Sequence, residues 1–158
     1  MKRLILFLFF TIFSNHFSTA GDNATSVSIE EGFTQINGTQ LFYKIIGKGT
    51  PIVILHGGPG LDHSYLLPQM AELAKTHKLI FFDQRASGKS SVDSDTNSMT
   101  MKNLVEDVEG IRKAFKLGKM NLMGHSWGGL LAMFYAIRFP NNITTQSLES
   151  GLTQETDG

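Results

Sequence analysis

Gly124-His125-Ser126-Trp127-Gly128 sets a serine between two glycines in the spacing G-x-S-x-G, where a short apolar run gives way to helical periodicity. In a sharp turn from strand into helix, that spacing lifts the serine oxygen clear of the backbone, where it can attack a carbonyl carbon. A serine hydroxyl is a weak nucleophile at neutral pH, so it needs a general base, and the base needs an acid to orient it. In this arrangement the acid and then the histidine follow the nucleophile in the chain. After Ser126 there is no histidine, and Asp157 is the only aspartate. The pattern therefore predicts the front part of a serine hydrolase, with the triad acid and histidine not in this chain.

The residues around the serine carry the rest of the chemistry. Gly128 and Gly129 permit close approach of helix and sheet, and the backbone N–H of Trp127 is one expected donor to a developing oxyanion. The second donor should come from His56-Gly57-Gly58-Pro59-Gly60, whose bare backbone can approach a ligand; Gly58 N–H is assigned, with Gly57 the rival. His56 is read as holding its loop by hydrogen bonds rather than as the base, and His125 as pointing into packing. Asp83 and Arg85 are expected to staple their loop as a buried ion pair. His63 and His77, at no metal-ligand spacing, are expected on the surface. Asp62 lines a pocket mouth or caps a helix. Gly88-Lys89-Ser90 imitates the end of a phosphate loop, but the glycine required five positions earlier is Asp83, which excludes nucleotide binding of that kind.

These groups need a scaffold, and the apolar periodicity supplies one. Gly32 to Ile36 and Gln40 to Ile46 read as a hairpin turned by Asn37-Gly38-Thr39. Pro51 to Leu55, Lys78 to Phe82 and Met120 to Met123 read as short buried strands. Leu66, Leu67, Met70, Leu73 and Ala74 predict an amphipathic helix ending near His77. Leu104, Val108, Ile111 and Phe115 predict a second helix from an N-cap at Thr100 to a stop at Gly118. Trp127 to Phe139 predicts a third, ended by Pro140. Ile143 to Leu148 predicts a last strand, although Thr144, Thr145, Gln146 and Ser147 are too polar for one buried on both faces: it has diverged, or the chain has left its parent reading frame. Strands alternating with helices imply an α/β fold with a truncated, mostly parallel sheet opened by an N-terminal β-hairpin.

At 158 residues there is room for one modest domain. Lys2 and Arg3 ahead of the apolar run Leu4 to Phe13, with Ser18-Thr19-Ala20 behind it, predict a signal peptide over 1–20 and a secreted or periplasmic product. That run is about half the ~20 residues a membrane span needs, so no stable insertion is expected. Cleavage would move the formal charge from 0 to −2, giving nothing to attract nucleic acid. Residues 21–29 read as a loose leader, 30–150 as the catalytic-domain portion and 151–158 as a disordered tail. With no cysteine, disulfides, thiolate catalysis and cysteine-type zinc sites are excluded. Asn23, Asn37 and Asn142 each begin a glycosylation-acceptor triplet.

HGGPG at 56–60, DQRASGKS at 83–90 and GHSWGG at 124–129, in that order, resemble the proline iminopeptidase family of α/β-hydrolases over about residues 30–140. The resemblance implies release of an N-terminal proline through an acyl-enzyme on Ser126, with Gly58 and Trp127 N–H groups on the oxyanion and neither metal nor organic cofactor. It also implies that the triad acid, the triad histidine and a helical cap holding the substrate amine lie downstream. The substrate would be a peptide or a small amide or ester, since HGGPG and the DQR loop also occur in related amidases and esterases. An esterase or amidase of that superfamily, or a non-catalytic truncated product, is the alternative. Where the family usually has glycine after DQR this chain has Ala86; a positive φ there would cost about 1 kcal/mol.

Overall fold

The computed structural model describes residues 27–90 and 96–149. The segment expected as a signal peptide, most of the expected leader and the expected tail over 151–158, with Asn23 and Asp157, lie outside the described residues. Among those described, no helix is long and apolar enough to cross a membrane.

The chain opens with β1 (Ile29–Ile36) and β2 (Thr39–Ile46), paired antiparallel in the register Ile36 opposite Thr39. Asn37 and Gly38 both have positive φ, 48° and 78°, as the tight hairpin turn between right-twisted strands demands. β1 starts at Ile29, inside the stretch that the sequence assigned to the leader.

β3 (Thr50–Leu55), β4 (His77–Phe82), β5 (Met120–His125) and β6 (Ile143–Glu149) complete a six-stranded sheet in the order β1-β2-β4-β3-β5-β6. β3 runs parallel to β4 and β5, and β5 parallel to β6; β2 meets β4 antiparallel. One face of the sheet packs Val53, Leu55, Ile80, Phe82 and Leu122 against the helices that precede and follow β5. The other packs Ile54, Leu79 and Phe81 against Leu66, Met70 and Ala74. Side chains alternate between the two faces of a strand, so continuous apolar runs feed both layers. β6 is the edge of the described sheet and its residues are mostly exposed. Thr144, Thr145 and Ser147 of its polar stretch are exposed there, whereas Gln146 is half-buried and its Nε2 has no hydrogen-bond partner among the described residues.

The segment after β3 departs from the periodicity. Instead of one amphipathic helix it holds a 3₁₀ turn at Ser64–Leu66, the single-turn α1 (Leu67–Met70) and a second 3₁₀ turn at Leu73–Lys75. Pro68 lacks an N–H and its ring crowds the preceding turn, so it fits only near a helix start. The apolar residues still face the core, although the hydrogen bonds shorten to the 3₁₀ pattern, as in Leu66 N–H to His63 O.

α2 (Met101–Ala114) begins as expected: Thr100 accepts a hydrogen bond from Asn103 N–H at 3.1 Å. It stops earlier than Gly118, through Lys116 at φ 53° with Leu117 N–H bonded to Arg112 O, the usual left-handed helix terminator without its glycine. α3 (Trp127–Arg138) packs on α2 and β5 with Leu131, Ala132 and Tyr135 buried, while Met133, Phe134 and Ile137 on its other flank are exposed.

Glu109 locks α2 to α3. The carboxylate is 3% exposed and accepts from Arg112, from Tyr135 Oη at 2.7 Å and from Asn142 Nδ2 at 3.2 Å. The Arg112 hydrogen bonds outweigh burial and hold Glu109 down at about 2, against an ordinary 4.5. The unfolded chain therefore takes up this proton first as pH falls. The stabilisation is complete above pH 4.5 and disappears towards pH 2. Urea titrations at pH 5 and pH 2.5 should show a loss of roughly 2–3 kcal/mol that Glu109→Gln does not show. An equal loss in both proteins would exclude Glu109 as the acid-labile group.

Candidate active site

Parallel pairing brings the carboxyl ends of three strands to one edge of the sheet: Ile54 lies opposite Phe81 and Leu55 opposite Gly124. The 56–63 loop, the 83–90 loop and Ser126 therefore emerge side by side, where open α/β sheets place their ligands. Ser126 sits between β5 and α3 at φ 51°, ψ −116°, a conformation that L-residues rarely adopt. The bend is held on both sides. Ser126 N–H donates to Glu149 O at 2.8 Å, and Ser126 O accepts from Gly129 N–H at 2.9 Å. Its side chain is exposed, and among the described residues no side chain is hydrogen-bonded to its Oγ.

The flanking glycines are required by closeness. A Cβ at Gly124 would meet the carbonyl of Gly128, and a Cβ at Gly128 would meet those of Leu55 and His56. In the 56–60 loop Gly58 is left-handed at φ 56°. Gly57 N–H is already spent on Tyr65 Oη at 2.7 Å. Of the two candidate glycine donors, Gly58 therefore has the uncommitted N–H, and Trp127 heads the helix on the other side of Ser126.

The histidines divide by their partners. His56 is fully buried; its Nε2 accepts from Gln84 N–H at 3.0 Å, so its proton is on Nδ1, 3.0 Å from Gly57 O. Burial pushes the imidazole below its ordinary range, in keeping with a neutral ring that staples a loop. His125 is bonded through Nδ1 to Tyr65 Oη at 2.8 Å. His63 corrects the sequence expectation: it is 6% exposed and pairs with Asp83 at 2.7 Å. His77 opens β4, half-buried beside Thr76. Asp62 accepts from Ser64 N–H and Oγ, pinning the 3₁₀ turn.

Asp83 and Arg85 also depart from expectation: each staples the loop with its own partner. Asp83 accepts from the His63 ring, His63 N–H and Lys89 N–H. Burial pushes its carboxyl up, but those hydrogen bonds prevail and lower it. Arg85 forms a two-pronged pair with Asp107 of α2, both contacts at 2.9 Å. Asn37 Nδ2 donates to Asp107 and Asn142 Nδ2 to Glu109, so two of the three glycosylation-type asparagines have their amides tied inside the fold.

Ala86 adopts φ 56° in this loop. A left-handed alanine costs about 1–2 kcal/mol, and glycine gives back part of the relief through its freer unfolded chain. Ala86→Gly should therefore raise stability by about 0.5–1 kcal/mol, read from the urea midpoint. A fall in the midpoint would mean that the loop is not strained at Ala86.

Two residues gain a place that the motifs did not assign them. Gln84 donates from Nε2 to His56 O at 2.8 Å and accepts from Trp127 Nε1 at 3.1 Å. Tyr65 joins Gly57 to His125. Gln84 stood inside the DQR motif, whereas nothing in the spacing of Tyr65 marks it. Among the described residues no cluster of His, Cys, Asp or Glu could hold a metal ion.

A family model described as alpha/beta hydrolase fold matches residues 50–153. A proline iminopeptidase of Saccharolobus solfataricus is 37% identical over 133 residues, which is 81% of this chain and 43% of that protein. One from Clostridioides difficile is 34% identical over 134 residues, 80% of this chain and 45% of its own. The chain spans less than half the length of these curated relatives. Among solved structures, a proline iminopeptidase-related protein of Thermus thermophilus superposes with a TM-score of 0.72 at 27% identity, covering 77% of this chain and 44% of that one. An epoxide hydrolase of Vigna radiata reaches 0.71 at 22% identity over 82% of this chain and 43% of its own, a likeness of fold.

Proposed function

Since this chain belongs to the alpha/beta hydrolase fold family, we propose that Ser126 is the nucleophile of a serine hydrolase resembling the proline iminopeptidases, releasing N-terminal proline through an acyl-enzyme. The observation that carries this reading is the backbone of Ser126: an exposed serine at φ 51°, ψ −116° between β5 and α3. Its oxygen would attack the prolyl carbonyl carbon while its proton passes to a base, and the carbonyl electrons would move onto oxygen, facing Gly58 and Trp127 N–H. Collapse of that intermediate would expel the peptide's amine, which takes up the proton, and water would then release proline.

None of the described histidines is hydrogen-bonded to Ser126. The reading is tested in a chimera joining this chain to the second half of one of the relatives above. Prolyl-nitroanilide should be cleaved, and Ser126→Ala should lose at least about a thousandfold in kcat. Cleavage of nitrophenyl esters without prolyl cleavage would replace the peptidase reading with an esterase one. Unchanged activity in Ser126→Ala would remove the nucleophile altogether.

A further inference from the structure

The loop at 56–60 is tied to the residues on both sides of Ser126, and by two different side chains. On one side Tyr65 Oη lies 2.7 Å from Gly57 N and 2.8 Å from His125 Nδ1. On the other Gln84 reaches His56 O at 2.8 Å and Trp127 Nε1 at 3.1 Å, with its own N–H on His56 Nε2 at 3.0 Å. His125 and Trp127 immediately flank Ser126 in the chain. A Cβ at Gly57 would lie 2.9 Å from both Tyr65 Oη and His125 Nδ1, so the tie on that side also explains why the position is glycine.

From this arrangement we infer that Tyr65 and Gln84 are positioning residues, which clamp the 56–60 loop to His125 and Trp127 and so set the spacing between the N–H groups of Gly58 and Trp127. The inference rests on the Ser126 reading for its catalytic meaning. Gly57 N–H can only donate, so the Tyr65 oxygen accepts from it; the phenolic proton is then directed to His125 Nδ1, and the imidazole carries its proton on Nε2. Were the ring proton on Nδ1 instead, the phenol oxygen would accept twice and its own proton would lose this partner. Burial pushes the phenol above its ordinary range, so it keeps its proton to donate throughout the neutral range. With Gly57 N–H consumed, the loop's remaining donor is Gly58, at left-handed φ 56°. Oxyanion stabilisation is steep in donor placement, and a shift of about 1 Å can cost a hundredfold.

The test has a spectroscopic arm that needs no catalysis and a chemical arm that does. In the 158-residue chain, long-range proton–nitrogen NMR should find His125 protonated on Nε2 alone, and Tyr65→Phe should leave it a mixture of tautomers. Hydrogen exchange at the Gly57 amide should quicken by at least about tenfold in Tyr65→Phe, while amides in β5 and α3 keep their rates. Phenylboronic acid supplies the chemical arm: Ser126 Oγ bonds to trigonal boron, its proton leaves to water, and the tetrahedral anion presents an oxygen to the two donors. Its affinity should fall by about tenfold to a hundredfold in Tyr65→Phe and in Gln84→Met. Unchanged boronate affinity in both variants, His125 protonated on Nδ1, or an unchanged Gly57 exchange rate would overturn the inference. Boronate binding that survives Ser126→Ala would sink the nucleophile reading and the oxyanion role with it, while the NMR arm would still show whether the Tyr65 bridge exists.

Discussion

Replacing Gly128 by alanine should remove a large share of the domain's stability, at a cost of about 3 kcal/mol out of the ~5–15 kcal/mol typical of a folded domain. Overpacking is mild when the obstacle is the end of a flexible side chain, which can rotate away. Here the obstacles are carbonyls: a Cβ at Gly128 would lie 2.6 Å from His56 O and closer still to Leu55 O. These belong to the end of β3 and the start of the 56–60 loop, so relief would need α3 to lift off the sheet and carry the elbow with it. Gly129 is the control on the same helix turn. A Cβ there comes no nearer than 3.4 Å to Gly124 O, and alanine is the better helix former, so Gly129→Ala should be neutral or stabilising by up to about 1 kcal/mol. Thermal melts of the two variants should separate widely. A Gly128→Ala protein within about 1 kcal/mol of the parent would mean that helix and strand are not in the contact described.

The difference between these neighbouring glycines shows what the sequence could disclose. G-x-S-x-G marked the turn, because that demand is local: a serine at φ 51° and a helix starting one residue later. Asn37-Gly38 was equally readable, since positive φ at two adjacent residues belongs to those residues alone. The same holds for Thr100, whose capping partner is three positions away. Interactions reaching across the chain left no such trace. His63 looked like a surface residue because its partner, Asp83, arrives from another strand end, and Arg85 looked like a partner for Asp83 because Asp107 comes from α2. The segment from Leu66 to Ala74 kept its apolar spacing while its helix broke up: burial fixes which side chains face inward, but Pro68 governs which hydrogen bonds can form. The strand β6 was readable, but the sequence does not say that it lies at the edge of the described sheet, where most of its polar side chains are exposed. At the candidate site the strand-to-helix bend at Ser126 was legible, and the Tyr65 and Gln84 ties were not.

The Arg85–Asp107 pair carries the other large expected effect. The two side chains are 3% and 1% exposed, joined by parallel contacts of 2.9 Å, and Arg85 Nη2 also reaches Asn37 O in the hairpin turn. One interaction thereby ties the β1–β2 hairpin, the 83–90 loop and α2 together. Arg85→Met removes the guanidinium but leaves a buried carboxylate with Asn37 Nδ2 at 3.0 Å, and such a broken pair costs about 3–5 kcal/mol. Burial already pushes the Asp107 carboxyl above its ordinary 3.8, against the pull of Arg85 and Asn37; without Arg85 it should rise further. The charged form is therefore the penalised one. Below pH 3.8 both folded and unfolded chains hold the proton and no penalty remains, whereas above the folded value the penalty is complete. The stability gap between Arg85→Met and its parent should accordingly be widest at pH 7 and shrink towards pH 3.5. Arg85→Met with Asp107→Leu removes both charges, and the double variant should recover about 2 kcal/mol relative to the sum of the single losses. Urea unfolding of all four proteins at both pH values measures the cycle. Additive losses, or a gap that does not depend on pH, would show that the pair does not hold the hairpin to α2 through its charge.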